Sequence, residues 1–258
     1  MSKVDKDALS KLINESLDNA ERHWKNGGHV LSLEEHNIIK SNRSDIGFDS
    51  SDSNIPGHET VSDYETIIDN FIAIVIDMRG SSSHLNAYNG AVIKSGIQRV
   101  FYETSALLPA LDFTIRSYNG RVTEYLGDGV LGFMQVDEAN SSKAIYSSYN
   151  ASEECLNTTL PLVNQELFRR YKLEALQIGI GMSLSKALVT LLGIKGNKHP
   201  KAYGRCVFRA TKLSDGHNKI VIDNDLRAMW PSAKKGTISF TKRDKNYGDF
   251  DGYIIRKS

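Results

Sequence analysis

Apolar residues recur at helical spacing near the start of the chain. Leu9, Leu12, Ile13, Leu17 and Ala20 share one face of a helix predicted over residues 4–26, which Gly27-Gly28 ends. From about Ser41 to Ser62 this periodicity gives way to a run rich in Ser, Asp, Asn and Gly, the composition of a linker. The stretch Phe71-Ile72-Ala73-Ile74-Val75-Ile76 is apolar at every position and rich in β-branched residues, so it reads as a strand buried on both faces. It stops at Asp77-Met78-Arg79-Gly80-Ser81-Ser82, where a glycine and serines suit a turn into a helix N-terminus.

Helical spacing returns over residues 90–117, with Pro109 as a kink or break, and over 143–171, which Pro161 interrupts. Between them, residues 120–126 and 130–134 flank Gly127-Asp128-Gly129 as two short strands of a tight hairpin. Residues 176–183 and 186–192 alternate like a second strand pair, 204–213 reads as a helix, 220–222 as a short strand, and 237–240 with 253–256 as a terminal strand pair. This order predicts an α+β fold, with helices packed on a mostly antiparallel sheet. The economical division is an N-terminal helical extension and polar linker over 1–62, followed by one catalytic domain over 63–258.

Composition narrows the partners. A formal net charge of +1 provides no global field for nucleic acid or an anionic membrane, so an anionic ligand must be held locally. Cys155 and Cys206 are too few for a disulfide framework and read as buried thiols. No apolar run approaches a membrane span and the first residues lack the core of a secretion signal, which points to a cytoplasmic protein without direct membrane contact. Gly179-Ile180-Gly181 lacks the rest of a dinucleotide fingerprint, no P-loop is present, and the seven histidines offer no i, i+4 metal pair.

Candidate chemistry sits at the end of the apolar strand. A carboxylate followed by Gly-Ser-Ser combines a ligand for a hard cation with backbone N–H groups and small side chains that admit phosphate. Asp128 at the hairpin tip reaches the same corner if the hairpin neighbours that strand. Two such acids can share a pair of Mg²⁺ or Mn²⁺ ions ~3.5–4 Å apart, as in-line phosphoryl displacement requires. Local grammar alone equally allows Asp77 as a helix cap and Asp128 as a turn residue.

From about Phe71 to Arg256, these motifs in this order resemble the catalytic domain of class III nucleotidyl cyclases. Asp77 to Ser82 matches the family's Asp-Ile-x-Gly-Phe-Thr motif, Glu124-Tyr125-Leu126-Gly127-Asp128 its Lys/Glu-x-x-Gly-Asp hairpin, and Gln177 to Ser183 its Arg-Ile-Gly-Ile-x-x-Gly strand. The resemblance implies a ferredoxin-like core. It implies two divalent ions per site, Mn²⁺ or Mg²⁺, held by Asp77, Asp128 and the Met78 carbonyl, with phosphate contacts along Gly80, Ser81 and Ser82. It also implies a homodimer with active sites at the interface, because the family's metal ligands meet its Asn/Arg helix only across two protomers.

Several positions depart from the pattern. The base-reading pair falls on Glu124 and Lys201, neither the Lys/Asp of adenylyl nor the Glu/Cys of guanylyl cyclases. The family's Asn falls on Phe208 and its transition-state Arg on Lys212, unless Arg209 takes that role. Glu124 accepts and Lys201 donates, a combination that suits the adjacent donor and acceptor of cytosine or uracil. With Asp-Met-Arg-Gly-Ser-Ser, these features most resemble the bacterial pyrimidine cyclases of Pycsar antiphage systems. That resemblance implies CTP or UTP as substrate and a separate cyclic-nucleotide-binding effector for the product. A purine cyclase and a degenerate nucleotide-binding module stay open beside it.

Overall fold

The spine of the molecule is β3 (Ile67–Met78), whose buried positions alternate between two apolar layers. The computed structural model describes residues 2–29, 50–62, 67–88, 90–194, 197–232 and 236–257. Antiparallel partners flank β3 on both sides, β5 (Gly129–Gln135) and β6 (Ile178–Ile194). The sheet continues outward through β4 (Arg121–Tyr125) at one edge and through β8 (Lys219–Asp223), β10 (Gly252–Lys257) and β9 (Ile238–Lys242) at the other. Among the described strands only β6 and β8 pair in parallel. The fold is the expected α+β arrangement with a mostly antiparallel sheet.

Ile72, Ile74, Ile76 and Met78 point to a helical layer made by α1 (Lys6–Lys25), α3 (Gly96–Ser117), α4 (Ser141–Glu154) and α5 (Leu160–Tyr171). The predicted N-terminal helix is part of this layer: Leu9, Ile13, Leu17, Ala20 and Trp24 of α1 are buried in the same core as β3. At roughly 1.5–3 kcal/mol for each fully buried large aliphatic chain, that stripe holds α1 down. Asp5 caps its start by accepting from the Asp7 and Ala8 amides at 3.0 and 3.1 Å. Arg170 clamps its far half through Asp18 at 2.6 Å and Asn14 Oδ1 at 2.7 Å.

Neither proline ends its helix. Pro109 lies inside α3, where buried Ala106, Leu107, Leu108, Ala110 and Leu111 offset the ~3 kcal/mol that an interior proline costs. Near Pro161 the chain passes through one π-helical stretch, Cys155–Thr159, and continues as α5.

Phe71, Ala73 and Val75 face the opposite layer with Leu131, Phe133 and Val189. It is covered by Cys206 and Ala210 of α6 (Arg205–Leu213) and by Ile55 and Val61 of a hairpin, β1 (Ser50–Ile55) and β2 (His58–Ser62). The polar run read as linker therefore contains a strand pair, whose composition is polar because few of its side chains are buried; residues 41–49 lie outside the described residues. The predicted second strand pair is also different: residues 178–194 form one strand, and its hairpin partner is β7 (Asn197–Gly204). The serines at the boundary of the two predicted strands are engaged within the continuous strand: Ser183 Oγ donates to Asp223 at 2.7 Å and Ser185 Oγ accepts from the Cys206 amide at 2.9 Å. Gly181 is where α6 crosses β6, and a β-carbon there would stand 2.0 Å from the Ala210 carbonyl oxygen.

Candidate active site

The alternation of β3 puts Asp77 on the Phe71–Val75 face, at the end of the strand. Asp77 pairs in register with Gly129, and the Met78 amide donates to the Asp128 carbonyl at 3.1 Å, so the hairpin tip is fixed beside the strand end by backbone bonds. The Arg79 amide donates to the Gln177 carbonyl at 2.8 Å and closes the other side. Gly80 then turns left-handed, with φ 79°, into the short helix α2 (Ser81–His84). The Ser81 hydroxyl donates to the Asp128 carboxylate and the Arg79 guanidinium pairs with the Asp77 carboxylate. Asp77, Met78, Gly80, Ser81 and Asp128 thus share one corner, with Ser82 exposed on the same turn.

Arg79 is not the outward-facing arginine that a turn position suggests. Its side chain is 19% exposed, and its buried Nε finds no hydrogen-bond partner among the described residues.

Behind α2, the ring of His84 bonds through Nδ1 to Glu103 at 2.8 Å, and Glu103 also accepts from Arg99 Nε at 2.8 Å. Sequence reasoning passed over this group because His84 lacks a metal-pair spacing. The i, i+4 placement of Arg99 and Glu103 on an apolar helix was the available signal.

Glu124 on β4 and Lys201 on β7, far apart in sequence, form an ion pair at 2.5 Å. Tyr125 and Tyr203 beside them are both exposed, and the Tyr125 hydroxyl donates to Asp112 at 3.0 Å. Partial desolvation of its hydroxyl end, although the residue is exposed, and that carboxylate push the Tyr125 phenol up to about 12.

On α6, Arg209 is committed to structure. Its guanidinium reaches Asp223 at 3.2 Å, Asp225 at 2.6 Å and Asp249 at 3.3 Å, and it lies over the Phe250 ring. Lys212 is exposed, 3.5 Å from the Tyr247 carbonyl, and lines a pocket of about 80 Å³ with Arg205, Phe208 and Phe250. Phe208, at the family's Asn position, is 66% exposed. Among the described residues no hydrogen bond or ion pair joins Lys201 or Lys212 to the Asp77–Asp128 corner. The basic turn after β9 is occupied locally, with Lys242 on Asp251 at 2.8 Å and Arg243 and Lys245 on Asp215.

Cys155 and Cys206 are buried, and burial pushes both thiols up, as expected of unreactive core cysteines.

No protein-family model and no curated protein matches the sequence. Solved structures do match the fold. The adenylyl cyclase CyaB from P. aeruginosa superposes with a TM-score of 0.61 at 15% identity, over 75% of this chain and 97% of that one. The guanylyl cyclase Cya2 gives 0.59 at 16%, over 74% and 93%. The catalytic core of a rhodopsin-guanylyl cyclase with converted specificity, in complex with ATPalphaS, gives 0.54 at 14%, over 76% and 100%. The chain therefore has the fold of class III cyclase catalytic domains.

Proposed function

We propose that this protein is a nucleotidyl cyclase that converts a nucleoside triphosphate to a cyclic 3′,5′-monophosphate and pyrophosphate. The observation that carries the reading is the junction of Asp77 and Asp128 at one strand end, beside the Gly80–Ser82 turn, within this fold. The donor set fits Mg²⁺ or Mn²⁺: two carboxylates and a backbone carbonyl are hard oxygen ligands. Among the described residues no group of three or more His, Cys, Asp or Glu is placed to hold a metal ion, so substrate oxygens and water would complete the shell. Asp77, Asp128 and the Met78 carbonyl would hold two ions, which when bound would favour the alkoxide form of the sugar hydroxyl and neutralise the triphosphate. Arg79 must release Asp77 for this to happen.

The protein's own groups do the rest. Gly80, Ser81 and Ser82 receive phosphate oxygens through amides and hydroxyls, while Lys212 offers positive charge to the α-phosphate without the bidentate geometry of arginine. Arg209 is unsuited to that role, because moving it would strand buried Asp223. Lys212 and the Glu124–Lys201 pair complete the acidic corner of a partner in a head-to-tail homodimer, which gives two sites per dimer.

For the base, a cytosine or uracil edge would insert between Glu124 and Lys201, donating to the first and accepting from the second. With the resemblance of the Asp77–Ser82 motif, this favours CTP or UTP and a second messenger for antiphage defence, read by a separate cyclic-nucleotide-binding effector. A purine substrate is the second reading, favoured by the adenylyl and guanylyl cyclases that share the fold. The test is to incubate the protein with Mn²⁺ and each of the four triphosphates and identify products by mass. Cyclic CMP or cyclic UMP is expected; cyclic AMP or cyclic GMP alone would select the purine reading, and binding without turnover would reduce the protein to a nucleotide-sensing module.

A further inference from the structure

His84 has no part in the reaction described above, yet its surroundings aim it. Its Nδ1 bonds to Glu103 at 2.8 Å, and Glu103 has no exposed side-chain surface. An ionised carboxylate only accepts, so Nδ1 carries the proton and Nε2 is the nitrogen left for another partner. Arg99 holds Glu103 from the next turn of α3 and donates through Nη1 to the Ala87 carbonyl at 2.8 Å, tying down the segment after α2. Nε2 faces back toward the phosphate turn: it lies 3.5 Å from where a β-carbon would stand on Gly80, and Ser83 Oγ lies 3.3 Å from the same point. Keeping an arginine and a glutamate out of water is costly unless both are well bonded, and here the pair fixes one imidazole at the rim of the turn.

We infer that His84 is a phosphate ligand of this site. Its imidazolium Nε2–H donates to an oxygen of the triphosphate or the departing pyrophosphate, and Glu103, held by Arg99, is the positioning residue that directs it. This rests on reading Gly80–Ser82 as the phosphate turn. Glu103 is the charged group bonded to the ring; the other charged groups on the neighbouring elements are Arg99 from α3, Asp77 and Arg79 from the end of β3, and Asp128 from the hairpin tip. Asp77 offsets Arg79 and Glu103 offsets Arg99, so Asp128 leaves one negative charge over, which a protonated His84 would offset on the side where an anion binds.

The test measures binding of inorganic pyrophosphate, with Mg²⁺ present, to the full chain by calorimetry at about pH 6 and about pH 8. Pyrophosphate's own titration is common to all variants, so differences between variants are read. His84→Ala is expected to lose about tenfold in affinity at the lower pH and to lose the wild type's extra pH dependence. His84→Gln, which keeps a neutral donor and guards against misfolding, should bind at an intermediate level with the same flat profile. Glu103→Gln should weaken binding while leaving a pH dependence, because the imidazole is still present. Equal affinity and equal pH slope in wild type and His84→Gln would overturn the inference, as would absence of pyrophosphate binding by the wild type. His84-dependent binding in a protein that cyclises no triphosphate would keep the phosphate site and remove the cyclase reading.

Discussion

The acidic corner at the end of β3 and the cationic face of α6 belong to the same side of the sheet, but they are held differently. Backbone bonds fix the corner: Met78 to Asp128, Arg79 to Gln177, and Asp77 in register with Gly129. On α6 the helix is fixed by Cys206 and Ala210 beneath it, while Arg205, Phe208 and Lys212 project outward with little to hold them. A backbone-fixed half depends on the glycine turns and the two carboxylates and tolerates little change. A half built of projecting side chains can be rewritten one residue at a time, and two of the departures from the cyclase pattern, Phe208 and Lys212, lie there.

This contrast predicts graded losses. Asp77→Ala or Asp128→Ala is expected to lower turnover by about a thousandfold or more with an unchanged circular dichroism spectrum, since on the proposed reading each would remove a metal ligand. Lys212→Ala should cost about a hundredfold in kcat, and Lys212→Arg should retain most of it. Arg209→Ala should act through stability instead, by about 3 kcal/mol in denaturant unfolding, because Asp223 loses its buried partner. An Arg209→Ala protein of normal stability and absent turnover would reverse the roles assigned to these two α6 cations. Glu124→Gln should lower kcat/KM for the preferred triphosphate by about tenfold, with the four-base preference flattened.

The smallest effect lies far from the corner, where Asp69 anchors the β1–β2 hairpin. Burial would raise its carboxyl, but hydrogen bonds from Gln135, the Asn70 amide and His58 outweigh burial and hold it below the ordinary value of 3.8. A depressed folded value adds stability above the unfolded one and loses it as pH falls through the folded one. Asp69→Asn should therefore cost about 0.5–1 kcal/mol at neutral pH, and in thermal melts the difference should vanish in strong acid.

What the sequence made legible follows the same division. The β3 run, the Gly-Asp-Gly hairpin and α1 were readable because local periodicity and turn chemistry alone specify them. The β1–β2 hairpin was hidden by its exposure, with Ile55 and Val61 among its few buried side chains. One long β6 was expected as two strands because the alternation breaks near Ser183 and Ser185, whose tertiary partners, Asp223 and the Cys206 amide, are set by the fold. The Asp77–Asp128 corner was anticipated from the family resemblance of its motifs, since local grammar alone left cap and turn roles open, whereas the engagement of Arg209 by three aspartates from later segments is a product of the fold. So is the Glu103–His84 contact, which joins residues nineteen positions apart on separate helices.

The most direct measurement mixes two variants that should each be inactive, Asp77→Ala and Lys212→Glu, and assays cyclisation of the preferred triphosphate. If each site takes its carboxylates from one protomer and its α6 cation from the other, every mixed dimer regains one sound site. Turnover should then recover to about a quarter of wild type in an equal mixture. A mixture as inactive as its components, with chain exchange verified, would contradict a site shared between two copies of the chain.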